Sequence, residues 1–268
     1  MSVVRLAAIL FLSLVAVAAL TPELWTVAPY NVQFREAPEA PPSRQFPLGT
    51  DAIGRDRLSR LLYGTRVSLL LAPAAALLSC LEAAALGAMA AMAGGFVDRA
   101  VLASAELFLS LPWLFVLLTV RAFLPLNTSP AASVAITFLL LGMLGWAAPA
   151  LVVRAAVRKL KQSDFMLQAR AAGCRPGQLL FRHLLPNVMP VLLGQFWVAV
   201  PVYILAEATL GMVGLGVVEP LPSWGSLLRE LESGTGLTSH PWLLAPAMLL
   251  AAVVGSFQLV MPRQDYSV

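Results

Sequence analysis

The sequence predicts an all-α integral membrane protein of about six transmembrane helices, interrupted by one helical loop in water. Three observations predict it. Of 268 residues, 59% are hydrophobic and only 12% charged, with mean hydropathy +0.81, whereas a soluble domain carries about 25% charged residues. Apolar runs recur along the chain at the length of about 20 residues that a membrane helix needs. Between two of them stands a polar insert, residues 154–187, in which Arg154, Arg158, Lys159, Lys161, Arg170, Arg175 and Arg182 face Asp164 alone. An excess of Arg and Lys in a loop between spans marks the cytoplasmic side. The same concentration of charge accounts for the net charge of +4 without a nucleic acid partner.

Residues 1–20 are expected to form the first transmembrane helix, retained with its N-terminus inside. The competing reading is a cleavable signal peptide, since Arg5, a short apolar run and the small residues Ala16 and Ala18 also fit one. Residues 21–66 carry Pro29, Pro38, Pro41, Pro42 and Pro47, which exclude a membrane helix and predict an extended crossing of the outer face. Pro47 to Asp56 reads as a turn that leads into the amphipathic start of a helix. Asp51 and Asp56 are placed there to pair with Arg55, Arg57 or Arg60.

Residues 67–260 are expected to hold the other five spans. The second, 67–93, contains Glu82; Gly94 to Arg99 is a short return. The third, 100–124, carries Glu106 and a kink at Pro112. Residues 125–130 turn the chain into the fourth span, 131–153, where Gly142 and Gly145 suit close helix contact. The fifth, 188–213, is interrupted by Pro190 and Pro201 and ends near Glu207. An outer segment, 217–240, is expected to place Trp224 at the membrane–water interface, where indoles concentrate. The sixth span is 242–260, and 261–268 form a short tail. Six spans put both termini in the cytoplasm, on the side given by the charge of the 154–187 loop.

Within that loop, Asp164 to Ala172 are helix formers and Gly173 is a natural stop. Pro176 can open a second short helix, where its missing N–H costs nothing, and Pro186 closes it. Along this helix Leu179, Leu180, Phe181, Leu184 and Leu185 alternate with Gln178, Arg182 and His183. It is too short to span and too apolar for an ordinary solvated loop, a pattern suited to a groove on a partner protein. A basic loop lying on anionic lipid is the bland alternative.

The run Ala169-Arg170-Ala171-Ala172-Gly173 followed by Phe181-Arg182-His183-Leu184-Leu185-Pro186-Asn187 resembles the "EAA" coupling loop of ABC importer permease subunits. The acidic residue that usually opens this motif is Leu167 here. Leu48-Gly49-Thr50-Asp51, Gly54-Arg55-Asp56 and Ser59-Arg60-Leu61-Leu62-Tyr63-Gly64 resemble a signature of the branch that serves dipeptides, oligopeptides and, in some members, nickel. Ala206-Glu207-Ala208-Thr209-Leu210 and Pro222-Ser223-Trp224-Gly225 resemble the same branch.

The resemblance implies a permease core over 67–260 that forms half of a translocation pathway. Its implied partners are a second permease subunit, usually a related but different chain, two ATP-binding subunits and an external substrate-binding protein, assembled in the bacterial inner membrane. It implies coupling to the ATPase through Ala169, Ala171 and Gly173 as close-packing residues, Phe181, Leu184 and Leu185 as an apolar docking face, and Arg170 and Arg182 as polar contacts, framed by Pro176 and Pro186. The short tail and Leu167 point to weakened coupling or to a matched ATPase. A nickel-chelate importer and a non-transporting structural membrane subunit are the alternative readings.

The residues give no support for catalysis in this chain. There is no GxxxxGK[ST] phosphate loop and no Ser/His/Asp or paired-carboxylate signature, so ATP and Mg are expected on a separate subunit. Cys80 and Cys174 fall in a predicted span and in the loop and are not expected to pair; neither belongs to a Cys/His cluster, and no metal site is expected. Glu82, Glu106 and Glu207 are the candidate pathway or interface residues, because an ionisable group within a span is costly and functional by default.

Overall fold

The computed structural model describes residues 3–123, 129–232 and 241–261. Among these the regular structure is helical, with one isolated antiparallel bridge between Thr50 and Asp56. The helices are α1 (Val3–Leu20), α2 (Arg57–Ala93), α3 (Gly95–Ser110), α4 (Trp113–Phe123), α5 (Pro130–Leu144), α6 (Ala147–Lys161), α7 (Asp164–Ala171), α8 (Pro176–Gln178), α9 (Leu185–Met212), α10 (Trp224–Glu232) and α11 (Ala245–Val260). A π-helical segment, Leu179–Leu184, joins α8 to α9. Five helical stretches are long and apolar enough to cross a membrane, and α3 with α4 makes a sixth if that pair, bent by 84°, is one span. The bend falls at the predicted kink, Pro112.

Two expectations about the spans need correction. Pro190 and Pro201 do not interrupt the fifth span, because α9 runs from Leu185 to Met212; in a membrane, local adjustment re-satisfies the freed carbonyls. Nor does the segment after α1 cross in extended form. It folds back on itself, with the N–H of Phe34 donating to Gly54 O at 2.9 Å and that of Glu39 to Asp51 O at 3.0 Å.

The chain divides into two compact units. The first comprises the described parts of Met1–Ala72, Leu118–Leu139 and Pro201–Val268. Here α1 packs against α11, burying Ala8, Val15 and Ala19 along one stripe while Leu6, Leu10, Leu14 and Val17 stay exposed. Such one-sided burial suits a helix whose other faces meet lipid. Asp56 caps the N-terminus of α2, its Oδ1 accepting from the N–H of Leu58 at 3.0 Å.

The end of α9 is held tightly against α10. A Cβ at Gly225 would lie 2.6 Å from Gly211 Cα and 2.9 Å from Glu207 O, so only hydrogen fits where the two backbones meet. Trp224, expected at the membrane–water interface, is instead fully buried. Its indole N–H donates to Thr65 Oγ1 at 3.0 Å, which satisfies its polar atom away from water. Arg121, also buried, donates to Leu215 O at 3.0 Å and to Ser133 Oγ at 2.7 Å, fastening the chain that follows α9.

The second unit comprises Pro73–Leu117 and Leu140–Val200. Here α3 packs on α6. Gly142 meets α2 as closely as its residue type suggested: a Cβ would lie 2.8 Å from Leu78 Cδ2. Gly87, with Ala150 O 2.6 Å from its Cβ position, makes the matching approach of α2 to α6.

Candidate functional site

The basic insert folds as a helix, a turn and a second helix. Asp164 stands in the first turn of α7, where a carboxylate favours the helix dipole. The helix stops at Ala171, and Gly173 takes φ +77°, a conformation cheap only for glycine. The N–H of Cys174 then closes back on Ala169 O at 3.1 Å. Met166, Ala169 and Leu179 form a small buried core between the two arms, with Cys174 packed against it.

The second arm does not close at Pro186. Pro176–Gln178 pass into the π segment and this into α9, so the arm and the fifth span are one rod. Pro186 has no N–H to offer to a helical carbonyl, and the wider π turn just before it absorbs that irregularity. Asn187 Nδ2 donates to His183 O at 2.6 Å and takes up one of the carbonyls in this region.

The π turn decides which apolar residues face out. Leu184 is 2% exposed and belongs to a core with Ala91, Val153, Val157 and Val188. It therefore holds the loop to α2 and α6 rather than forming part of a docking face. Phe181 is 70% exposed, and Leu185, Arg182 and Pro186 are also exposed. Of the residues assigned to close packing, Ala169 is buried, whereas Ala171 and Gly173 lie on the surface. The side chains of Arg170 and Pro176 lie outside the described residues.

Ion pairs stiffen the base of this loop. Arg154 grips Asp98 with two nitrogens at 2.5 and 2.7 Å, and Arg158 stands 3.6 Å from the same carboxylate. Lys161 Nζ donates to the carbonyls of Ala91 and Met92 at 3.1 Å each, capping the C-terminus of α2. Asp98 lies outside the loop, in the first turn of α3 rather than in the expected return, so the charges of the loop alone do not include it.

A second polar constellation lies in the first unit. Arg60, fully buried, donates to Asp51 at 2.9 Å, to Glu219 at 2.7 Å and also to Glu230. Arg55 bonds Asp51 and Glu219 at 2.6 Å each, and Arg57 reaches Glu230 at 3.1 Å. Three arginines meet three carboxylates. Asp51 thus pairs as expected, but Asp56 does not; its position at the start of α2 turns it to the helix N–H groups instead.

Burial pushes the Asp51 carboxyl up, yet the backbone and side-chain hydrogen bonds from Arg55 and the charges of Arg55 and Arg60 outweigh it and hold it below the usual carboxylate range. Asp56 lies above that range because burial outweighs the N–H groups of Leu58 and Ser59. Glu219 and Glu230, 159 and 170 residues from Arg60, carry no local sequence signal that would have joined them to it.

The three glutamates differ in their surroundings. Glu207 is fully buried, with Ser68 Oγ 3.3 Å from its Oε2. Glu82 is half-buried and its Oε2 makes no hydrogen bond among the described residues. Glu106 is exposed.

Residues 83–263 match the family described as binding-protein-dependent transport system inner membrane component. The chain is 32% identical over 223 residues to the oligopeptide transport system permease protein OppC of Bacillus subtilis (strain 168), covering 83% of this chain and 70% of that protein. It is 31% identical to the dipeptide transport system permease protein DppC of the same organism, over 82% of this chain and 67% of that protein. To the OppC of Escherichia coli (strain K12) it is 32% identical, over 79% of this chain and 68% of that protein.

Proposed function

This chain belongs to the binding-protein-dependent transport system inner membrane component family, and from that membership we propose that it is the permease subunit of an ATP-driven importer for peptides. It forms half of the translocation pathway beside a second, related permease chain. Two ATP-binding subunits dock on the basic loop from the cytoplasm and carry the ATP and Mg chemistry. An external binding protein delivers cargo to the opposite face. The relatives named above are oligopeptide and dipeptide permeases, which favours peptide over nickel chelate as cargo. The positive charge of 154–187 supports a cytoplasmic loop and cytoplasmic termini.

The observation that carries this reading is an exposed aromatic residue on a rigid mount. Phe181 stands in solvent while Met166, Ala169 and Leu179 on one side and Leu184 on the other lock its backbone. When the ATPases close on ATP, a push at Phe181 passes through the π turn into α9, a rod of 28 residues or about 42 Å, with no intervening loop to absorb it. Arg182 and Leu185 complete the docking surface. Glu106, an ionisable residue exposed on a membrane helix, is assigned to the contact with the second permease, Glu82 to the same interface or the pathway, and Glu207 to the interior of its own unit.

Leu167, also exposed, replaces the usual acid, so this loop docks through apolar and cationic contacts. Restoring the charge with Leu167→Glu is expected to raise ATPase stimulation; an unchanged rate argues against weakened coupling.

The test of the whole reading is co-purification. The tagged chain, extracted in mild detergent, is expected to bring down an ATP-binding subunit whose activity it stimulates, and Phe181→Asp is expected to release it. Absence of any ATPase from the folded chain overturns the importer reading and favours a structural membrane subunit.

A further inference from the structure

A cavity of about 510 Å³ opens where the chain leaves α9 and enters α10. Its lining includes Gly214, Gly216, Ser226, Arg229 and the two carboxylates Glu219 and Glu230. That volume lies within the range of small-molecule sites, about 300 to 1,000 Å³.

The charges around it are not equivalent. Glu219 and Glu230 are already matched by Arg55, Arg57 and Arg60, and together with Asp51 they make a neutral set of three cations and three anions. Ser226 is likewise engaged, with its hydroxyl donating to Ser223 O at 3.0 Å. Arg229 stands apart: it is exposed and makes no ion pair among the described residues. Its guanidinium lies over Gly214, with Nη1 2.9 Å from where a Cβ would be, and Gly214 has φ +83°. A side chain at 214 would push the guanidinium away, so glycine there leaves room for Arg229 at the cavity lining. What remains for a ligand is one cation with a planar fork of donors, which matches a carboxylate.

We propose that this cavity binds the C-terminal carboxylate of a short peptide through Arg229, with Gly214 as the residue that positions the guanidinium. Its lining begins at Gly211, near the C-terminal end of the span that starts from the basic loop, so on the peptide-importer reading, with that loop in the cytoplasm, the cavity belongs to the side from which cargo arrives. The identity of the ligand rests on that reading; the carboxylate preference rests on the geometry alone.

The test uses the full chain in lipid nanodiscs, with trialanine as probe against its C-terminal amide. The unaltered chain is expected to bind trialanine at least about tenfold more tightly than the amide, a ratio in line with one charge-assisted bidentate contact. Arg229→Gln is expected to abolish that difference, Arg229→Lys to keep part of it, and Gly214→Ala to weaken trialanine while leaving the amide unchanged. Equal affinity for acid and amide, or no binding of trialanine at all, overturns the proposal. So does a variant Arg229→Gln that binds trialanine normally but loses capture of the external binding protein, since Arg229 is then a protein contact.

Acetate titration and ATPase co-purification separate the two readings. Acetate that competes at Arg229 in a chain that captures no ATPase upholds the carboxylate site and overturns the importer. An ATPase captured by a chain with no carboxylate preference overturns the site alone.

Discussion

Arg60 and Asp51 are both buried and 2.9 Å apart, and their ion pair ties the turn before α2 to the helix itself. Glu219 and Glu230 reach the same guanidinium from the far end of the chain, so one arginine cross-links three segments. Replacing it by Met leaves carboxylates short of a partner in a partly dry site. Breaking a buried pair from one side costs about 3 to 5 kcal/mol. Arg60→Met is therefore expected to lower the unfolding temperature of the purified chain sharply, and Arg60→Lys to recover little because an ammonium cannot fork to three carboxylates. An unchanged unfolding temperature rejects a structural role for the network.

The two aspartates of the same turn give opposite responses to acid. Asp51 lies below the usual carboxylate range. Its contribution is present above the unfolded value, about 4, and is lost as pH falls through its lowered folded value. Asp56 lies above the range. Its contribution is present below the unfolded value and lost as pH rises through its raised one. Unfolding temperatures followed across acid pH are expected to show Asp51→Asn flattening the loss on the acid limb. Asp56→Asn, which keeps an N-cap side chain, is expected to remove the decline on the neutral side. If both variants shift the profile in the same direction, the assignment of these two environments is wrong.

Most of the membrane architecture was legible because hydropathy and charge asymmetry are local properties. What escaped was set by distant partners or by helix phase. Trp224 stands among Pro and Gly residues and reads as an interfacial indole; its partner Thr65 is 159 residues away, and nothing near Trp224 announces it. Pro186 reads as a stop, yet the π segment before it carries the helix through. That same segment changes the phase of the arm. At α-helical spacing Phe181, Leu184 and Leu185 share one face, but the wider turn separates an outward Phe181 from an inward Leu184. The basic loop was thus found from composition, while which of its apolar residues face outward required the backbone.

Gly211 of α9 and Gly225 of α10 meet backbone to backbone, and the space between them holds no methyl group. Gly225→Ala would set its Cβ 2.6 Å from Gly211 Cα and 2.8 Å from Ala208 O, contacts with backbone that cannot rotate away. Overpacking costs about 1 to 3 kcal/mol when side chains can yield, and here they cannot. The variant is expected to lose at least that much in denaturant unfolding and to expose Trp224 to a fluorescence quencher. Normal stability with a shielded indole argues against this seam.

Asp98 and Arg154 form a two-pronged pair at the base of the loop. Two parallel charge-assisted bonds from one guanidinium are the stronger kind, and within the chain the two side chains are 16% and 15% exposed. A double-mutant cycle with Asp98→Asn and Arg154→Gln is expected to return a favourable coupling at low salt that weakens as salt is added. A coupling near zero places the pair among surface contacts that add nothing measurable.

On the proposed importer reading, Phe181 and Leu184, one turn apart, separate docking from support. Leu184 sits in the core with Val153, Val157 and Val188, so Leu184→Ala removes a buried side chain at a cost of about 2 to 5 kcal/mol. Phe181 is exposed, and Phe181→Ala is expected to change the stability of the isolated chain by less than about 0.5 kcal/mol. The order reverses when the ATP-binding subunit is captured. Phe181→Ala is expected to weaken capture at least tenfold, as the loss of a buried aromatic anchor does, because the side chain that enters the partner is gone while its mount is intact. Leu184→Ala is expected to retain capture at temperatures where the chain stays folded, but to lower the ATPase stimulation per captured subunit, since the arm no longer pushes against a fixed base. Capture and stimulation measured on the same preparations decide the matter: if Leu184→Ala abolishes capture in the folded chain and Phe181→Ala does not, the docking face is the one the α-helical spacing suggested, and the phase change at the π turn has no functional consequence.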